Sequence, residues 1–246
     1  YGRTAGGQNI FWRVTGTEFT DTGATGTSEA VPTSAGARWT VKNLFELKHA
    51  RNVVIEENIF ENHWQEAQSG YAILFTPRNS GGCAWCVVEN VRFERNIVRN
   101  VSAGFNILGY DNSNPSQQTA NIVIRQNLFT GLSTTLGGNG WFMLIGDGPR
   151  DLTVEHNTMD SNGNTLLYAY GGSATDVREI YGLRFVSNPA RHGSYGINGQ
   201  CVGTGNVALN AYFPGHVFET NYLAGGSVSR LPAGTLVPNY FQNQFV

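Results

Sequence analysis

The sequence predicts an all-β solenoid, a parallel β-helix of about six or seven coils with an asparagine ladder, and three observations predict it. One segment type returns at near-constant spacing, a second strand type interleaves with it once per period, and no segment between them reads as a helix. Composition agrees. Of 246 residues, 31 are Gly and 25 are Asn, while lysine occurs only at Lys42 and Lys48. Gly and Asn accept positive φ at little cost, so this usage suits short strands joined by many tight turns and excludes a helical bundle.

The returning segment is an apolar-x-apolar strand, an asparagine, and usually a second apolar pair. Val53-Val54-Ile55 leads to Asn58, Val91-Arg92-Phe93 to Asn96, Ile122-Val123-Ile124 to Asn127 and Leu152-Thr153-Val154 to Asn157. Leu183-Arg184-Phe185 then leads to Asn188, and the degenerate Val217-Phe218 to Asn221. Successive asparagines lie 38, 31, 30, 31 and 33 residues apart, so the period is near thirty with one insertion after Asn58. That insertion contains Cys83-Ala84-Trp85-Cys86. The second strand type is Leu44–Leu47, Ala72–Phe75, Asn106–Gly109, Phe142–Ile145 and Leu166–Ala169, with Gly196-Ile197-Asn198 as a sixth.

In a parallel solenoid, like strands of successive coils pair about 4.8 Å apart, so inward residues stack into columns such as Ile55, Phe93, Ile124, Val154, Phe185 and Phe218. Side-chain amides at one corner can then donate each to the next, and the backbone there is expected to take a positive φ that Asn accepts. These six asparagines are read as scaffold. Residues 1–40 are expected to form an N-terminal cap or irregular first coil, 41–226 the solenoid and 227–246 a capping tail. A coil end is an unpaired edge and invites a cap or self-association. Cys83 and Cys86 are read as either a small loop disulfide or a thiol pair, with Cys201 left over.

Charge narrows the classes. Sixteen Lys and Arg against eighteen Asp and Glu give a net charge of −2, which argues against a nucleic-acid partner. No apolar run approaches the roughly 20 residues of a membrane span. Tyr1 stands where an initiator Met or signal segment would be expected, which leads to the expectation of a processed or truncated start.

Repeats of the form VxIxxNxF at this spacing resemble the right-handed parallel β-helix superfamily of pectate lyases and their relatives, over roughly Val41 to Gly226. The stretches Trp39–Lys48 and Pro115–Thr119 also resemble uncharacterised β-helix proteins of soil bacteria. The resemblance implies an extracellular protein acting on a polysaccharide, and the first expectation is a lyase-type enzyme for an acidic polysaccharide, ahead of a glycoside hydrolase. The Trp-Ile-Asp-His and Arg-x-Pro-x-x-Arg runs of Ca-dependent pectate lyases and the acidic sets of polygalacturonases are absent from the sequence, so fold does not supply activity.

Within such a fold a groove is expected along the second strand type. Aligning its ends brings Lys48, Arg78, Asp111 and Asp147 to one corner of successive coils. Lyase chemistry on a uronate needs a base and a cation to hold enolate charge, so Lys48 or Arg78 is the candidate base, and Asp111 and Asp147 are candidate Ca²⁺ ligands. As a hydrolase pair, the same two carboxylates would serve as acid and base. The bland reading is that all four charges solvate coil ends in exposed ion pairs. A second wall is expected from His63, Trp64, Glu66 and Tyr71, with Tyr110 beside the first group and Trp85 as an extension. Trp141 is read either as a further extension of that wall or, with slight preference, as closing a gap in the core. Against the enzyme stands a non-catalytic carbohydrate-binding or assembly module of the same fold.

Overall fold

In a computed structural model of the chain, the described residues are 33–34, 37–38, 42–65, 70–173 and 175–239. They are nearly all β, arranged as three sheets dominated by parallel pairing, the architecture of a β-helix-like solenoid. The chain visits the sheets in strict rotation. The first sheet takes Phe45–Leu47, Ile73–Phe75, Phe105–Leu108, Met143–Gly146, Thr165–Tyr170 and Gly196–Gly199. The second takes Ala50–Glu56, Val88–Glu94, Ala120–Arg125, Arg150–Glu155, Arg184–Val186 and Val217–Glu219. The third takes Ile59–His63, Ile97–Val101, Leu128–Leu132, Thr158–Ser161, Pro189–Arg191 and Tyr222–Ala224. Each strand pairs with its counterpart one period away, because a repeat that returns the same alternation returns the same face to the core.

The core is the predicted set of columns. Ile55, Phe93, Ile124, Val154, Phe185 and Phe218 are in direct register and all buried. Phenylalanines from all three sheets meet inside them: Phe105 lies 5.2 Å from Phe93, 5.6 Å from Phe129 and 6.0 Å from Phe142, centroid to centroid. Truncating one such ring costs about 3–5 kcal/mol, since the cavity relaxes only partly.

The six asparagines are stacked and buried. From Asn58 through Asn96, Asn127, Asn157 and Asn188 to Asn221, each Nδ2 donates to the next Oδ1 at 2.8–3.2 Å. Each of those oxygens also accepts the backbone N–H of the preceding asparagine, and Nδ2 donates a second bond to a strand carbonyl such as Phe93 O or Ile124 O. An interior amide of this ladder thus uses two acceptor sites and two donors. One expectation is displaced by a residue. The left-handed backbone belongs to the preceding positions, Glu57, Arg95, Gln126, His156, Ser187 and Thr220, with φ between 51° and 59°. That single left-handed residue turns the chain so that the next side chain enters the interior. Asparagines that do take positive φ stand elsewhere: Asn52, Asn90 and Asn121 in the second-sheet strands, joined by their own outer chain of amide bonds, and Asn62 and Asn100 in the third-sheet strands.

At the C-terminal end the parallel pattern stops. Gly203–Thr204 pairs antiparallel to the last first-sheet strand, helix Asn206–Tyr212 packs Ala208, Leu209 and Tyr212 into the core, and Leu236 bridges Tyr222 of the third sheet. Residues 227–239 of the expected tail therefore lie over the last turn, whereas most of the expected N-terminal cap lies outside the described residues. No described helix is long and apolar enough to cross a membrane.

Candidate functional site

The first sheet's strands alternate inward and outward, and the outward column reads Glu46, Leu74, Asn106, Leu144, Tyr168 and Asn198 in register. Half of this column is polar, and its apolar and aromatic members, Leu74, Leu144 and Tyr168, alternate with Asn106 and Asn198. Tyr71, Leu74 and Ala103 form a small buried cluster with Trp141 and Leu144 against it, separate from the main core. Trp141 stacks on Tyr168 with centroids 4.7 Å apart and planes 15° from parallel, and its Nε1 donates to Asn164 Oδ1 at 2.8 Å. The core position expected for Trp141 is thus corrected. It precedes its strand at the turn from the third sheet, so its ring folds over the outer face while the next residue, Phe142, enters the core.

Tyr170 completes this surface. Its ring lies across Gly146, its register partner, where an added Cβ would come within 2.0 Å of the ring, so only glycine admits it there. Burial pushes the Tyr71 hydroxyl well above its ordinary pKa, only partly opposed by a hydrogen bond with Asn139. Burial likewise raises Tyr170, with the Asp147 carboxylate adding to the rise and Arg78 opposing it. Burial also raises Tyr168. At neutral pH all three present hydroxyls rather than phenolates. Two buried oxygens, Asn106 Oδ1 in the outward column and Thr76 Oγ1 just past the Ile73–Phe75 strand, have no hydrogen-bond partner among the described residues. Such orphans are costly unless a water or ligand supplies the donor.

The expected row of charges is only partly assembled. Arg78 Nη1 lies 3.3 Å from Asp111 Oδ1 and donates to Asn112 Oδ1 at 2.8 Å. Asp111 is almost fully buried; Oδ2 accepts the Asn79 N–H at 2.6 Å and Oδ1 the Ser113 N–H at 2.9 Å. Burial alone would raise this carboxyl, but the two amides and Arg78 outweigh it and hold it below its ordinary range. With three donors in place, its surroundings do not fit a Ca²⁺ ligand, and no step is derived through that ion. Lys48 is ion-paired with Glu46. Asp147 stands beside Gly171 and acts on Tyr170. Arg178 lies over the ring of Tyr110 at 5.8 Å.

The second expected wall does not assemble on the surface. His63 is wholly buried, because it ends a third-sheet strand on the inward side. Its Nε2 donates to Lys42 O at 3.1 Å and Nδ1 lies 2.9 Å from Ser102 Oγ, which also lies 3.3 Å from Gly70 O. Burial lowers its pKa, with the Lys42 carbonyl opposing. Tyr71 is buried against the outer face, Trp64 is half-buried, and Glu66 lies outside the described residues.

Between the first and second sheets, the inserted loop is organised by Asn79. Its Oδ1 accepts the N–H groups of Gly81, Gly82 and Cys83, and its Nδ2 donates to Pro115 O. Cys83 and Cys86 are disulfide-bonded, and Cys201 is free and exposed. Trp85 protrudes from this loop with its edge on His49, 4.8 Å between centroids. It therefore stands at the opposite end of the first-sheet strands from Trp141. Sequence reasoning missed Asn79, Asn106, Tyr168 and Tyr170. The tyrosines were readable: alternation in Leu167-Tyr168-Ala169-Tyr170 points both outward.

No protein-family profile, curated protein or solved structure matches the chain. Its chemistry therefore has to be read from this surface alone.

Proposed function

We propose that the chain is a saccharide-binding protein, a right-handed parallel β-helix of about six turns that holds a polysaccharide along the outer face of its first sheet, outside the cell. The Trp141–Tyr168 stack carries this reading. Parallel, half-buried rings on an outer strand face suit the apolar faces of pyranose rings, and they are already held by packing and by Asn164. The Tyr168 hydroxyl and the Asn198 side-chain amide supply polar partners for sugar hydroxyls along the same column.

Binding is favoured over catalysis because the expected catalytic groups are engaged elsewhere. Asp111 organises a loop, Lys48 is paired, and the tyrosines stay protonated. One observation favours the second reading, a polysaccharide lyase: the charges of Asp147 and Arg78 both bear on the Tyr170 hydroxyl. Isothermal titration against neutral and acidic polysaccharides separates these readings when combined with absorbance of unsaturated uronate products, with and without chelator. Binding without product, weakened about tenfold or more by Trp141→Ala, which corresponds to about 1.4 kcal/mol, is the expected result. Absence of binding to every polymer overturns it, and product formation moves the assignment to the lyase.

A further inference from the structure

A small cavity of about 140 Å³ opens at the C-terminal end of the solenoid, lined by His192, Ser194, Tyr195, Thr204, Ser227 and Arg230 among four glycines. No carboxylate lines it. Nine of the arginines with described side chains pair with Asp or Glu, and Arg178 is taken up by the Tyr110 ring. Arg230 is the exception, with no ion pair to any described residue, and it lines this cavity. His192 is only 6% exposed. Its Nδ1 donates to Gly193 O at 2.7 Å, while Nε2 has no hydrogen-bond partner among the described residues. The ring sits where a Cβ on Gly196 would approach within 2.0 Å, so a bare backbone is required to seat it.

One hydrogen-bonded path links the cavity lining to the aromatic surface. Trp141 donates to the Asn164 side chain, and the Asn164 carbonyl accepts the Tyr195 N–H at 2.8 Å. Trp141, Asn164 and Tyr195 each precede a first-sheet strand, so they occupy the same corner of successive turns.

We infer that this cavity is a subsite for an anionic substituent, a carboxylate or a sulfate ester, on a polysaccharide lying along that corner. The inference rests on the saccharide-binding reading for the polymer, but not for the anion. An unpaired guanidinium, three aliphatic hydroxyls and a phenol supply donors without an opposing charge, and charge-assisted hydrogen bonds are the strong ones. The volume suits a substituent group rather than a run of rings.

The test uses the full chain with four probes: an oligogalacturonate, a sulfated galactan oligosaccharide, an uncharged cello-oligosaccharide and inorganic sulfate. Arg230→Gln and, independently, Ser227→Asp at the exposed rim should weaken a charged oligosaccharide at least tenfold and leave the uncharged one unchanged. Which charged probe binds native protein distinguishes carboxylate from sulfate. Inorganic sulfate should shift the His192 ring resonances. If sulfate shifts them while no oligosaccharide binds, the anion subsite stands and the saccharide reading falls. Equal affinity of both variants for the charged probes, or a His192 ring indifferent to sulfate, overturns the subsite.

Discussion

Two corners of the solenoid solve the same problem differently. At the corner between the second and third sheets, an uncharged amide recurs six times, and each interior copy is satisfied by its neighbours above and below. At the corner between the first and second sheets, single residues do the work once: Asn79 gathers three amides of its own loop and Asp111 pins that loop to the next turn. A repeated neutral group makes a continuous support without regard to pH. A singular charged group makes a local one that titrates and leaves the adjoining surface free to vary.

The sharpest way to break this contrast is inside the ladder. Asn127→Ala removes bonds to the turns on both sides and leaves buried donors and acceptors unpaired, so stability should fall by about 3 kcal/mol or more in urea unfolding. Asn58→Ala, at the first described rung, should cost visibly less, because among the described residues it has a ladder neighbour on one side only. Equal losses would mean that the amides do not act as a chain. Asn79→Ala should cost about 1–2 kcal/mol and act locally, with hydrogen exchange accelerated at Gly81, Gly82 and Cys83 while ladder amides stay protected.

Acid sharpens the comparison further. The folded state lowers the His63 pKa below its ordinary 6.5, so the unfolded chain binds a proton more readily. Its stabilising effect is full above that value and is lost as pH falls through the lower folded pKa. Melting temperature should therefore begin to drop below about pH 6.5, and His63→Gln should flatten that limb. Asp111 behaves alike lower down: its contribution is full above its ordinary 3.8 and is lost as pH falls through the depressed folded value. Asp111→Asn should remove only this last step, the smallest effect, seen as acid-induced exchange at Asn79 N–H. A ladder whose protection fell in parallel with either step would erase the distinction between the corners.

These same differences decide what was legible in the sequence. Columns such as Ile55 to Phe218 and the rungs Asn58 to Asn221 could be read because register errors cannot hide in six copies of one pattern. The left-handed residue was misplaced by one position because Glu57, Arg95, Gln126, His156, Ser187 and Thr220 share no side-chain chemistry. Only the backbone marks them. At the loop corner nothing repeats. Asp111 reads as a free carboxylate until Asn79, 32 residues earlier, is found donating to it. His63 looks like part of a polar loop until strand alternation places it inside. Trp141 was misread for the opposite reason: its size suggests the core, but Phe142 takes that place.

The ladder also has a direction. Every Nδ2 points its bond toward the higher-numbered asparagine, so Asn58 begins the series as a donor and Asn221 ends it as an acceptor. Head and tail are therefore not interchangeable. A duplicated thirty-residue unit could be spliced between any two rungs with every amide still served, whereas a unit fused beyond Asn221 would have to displace the closing segment around Leu236 before the next amide could receive its bond. Lengthening such a molecule by internal copying is thus easier than by adding to its end.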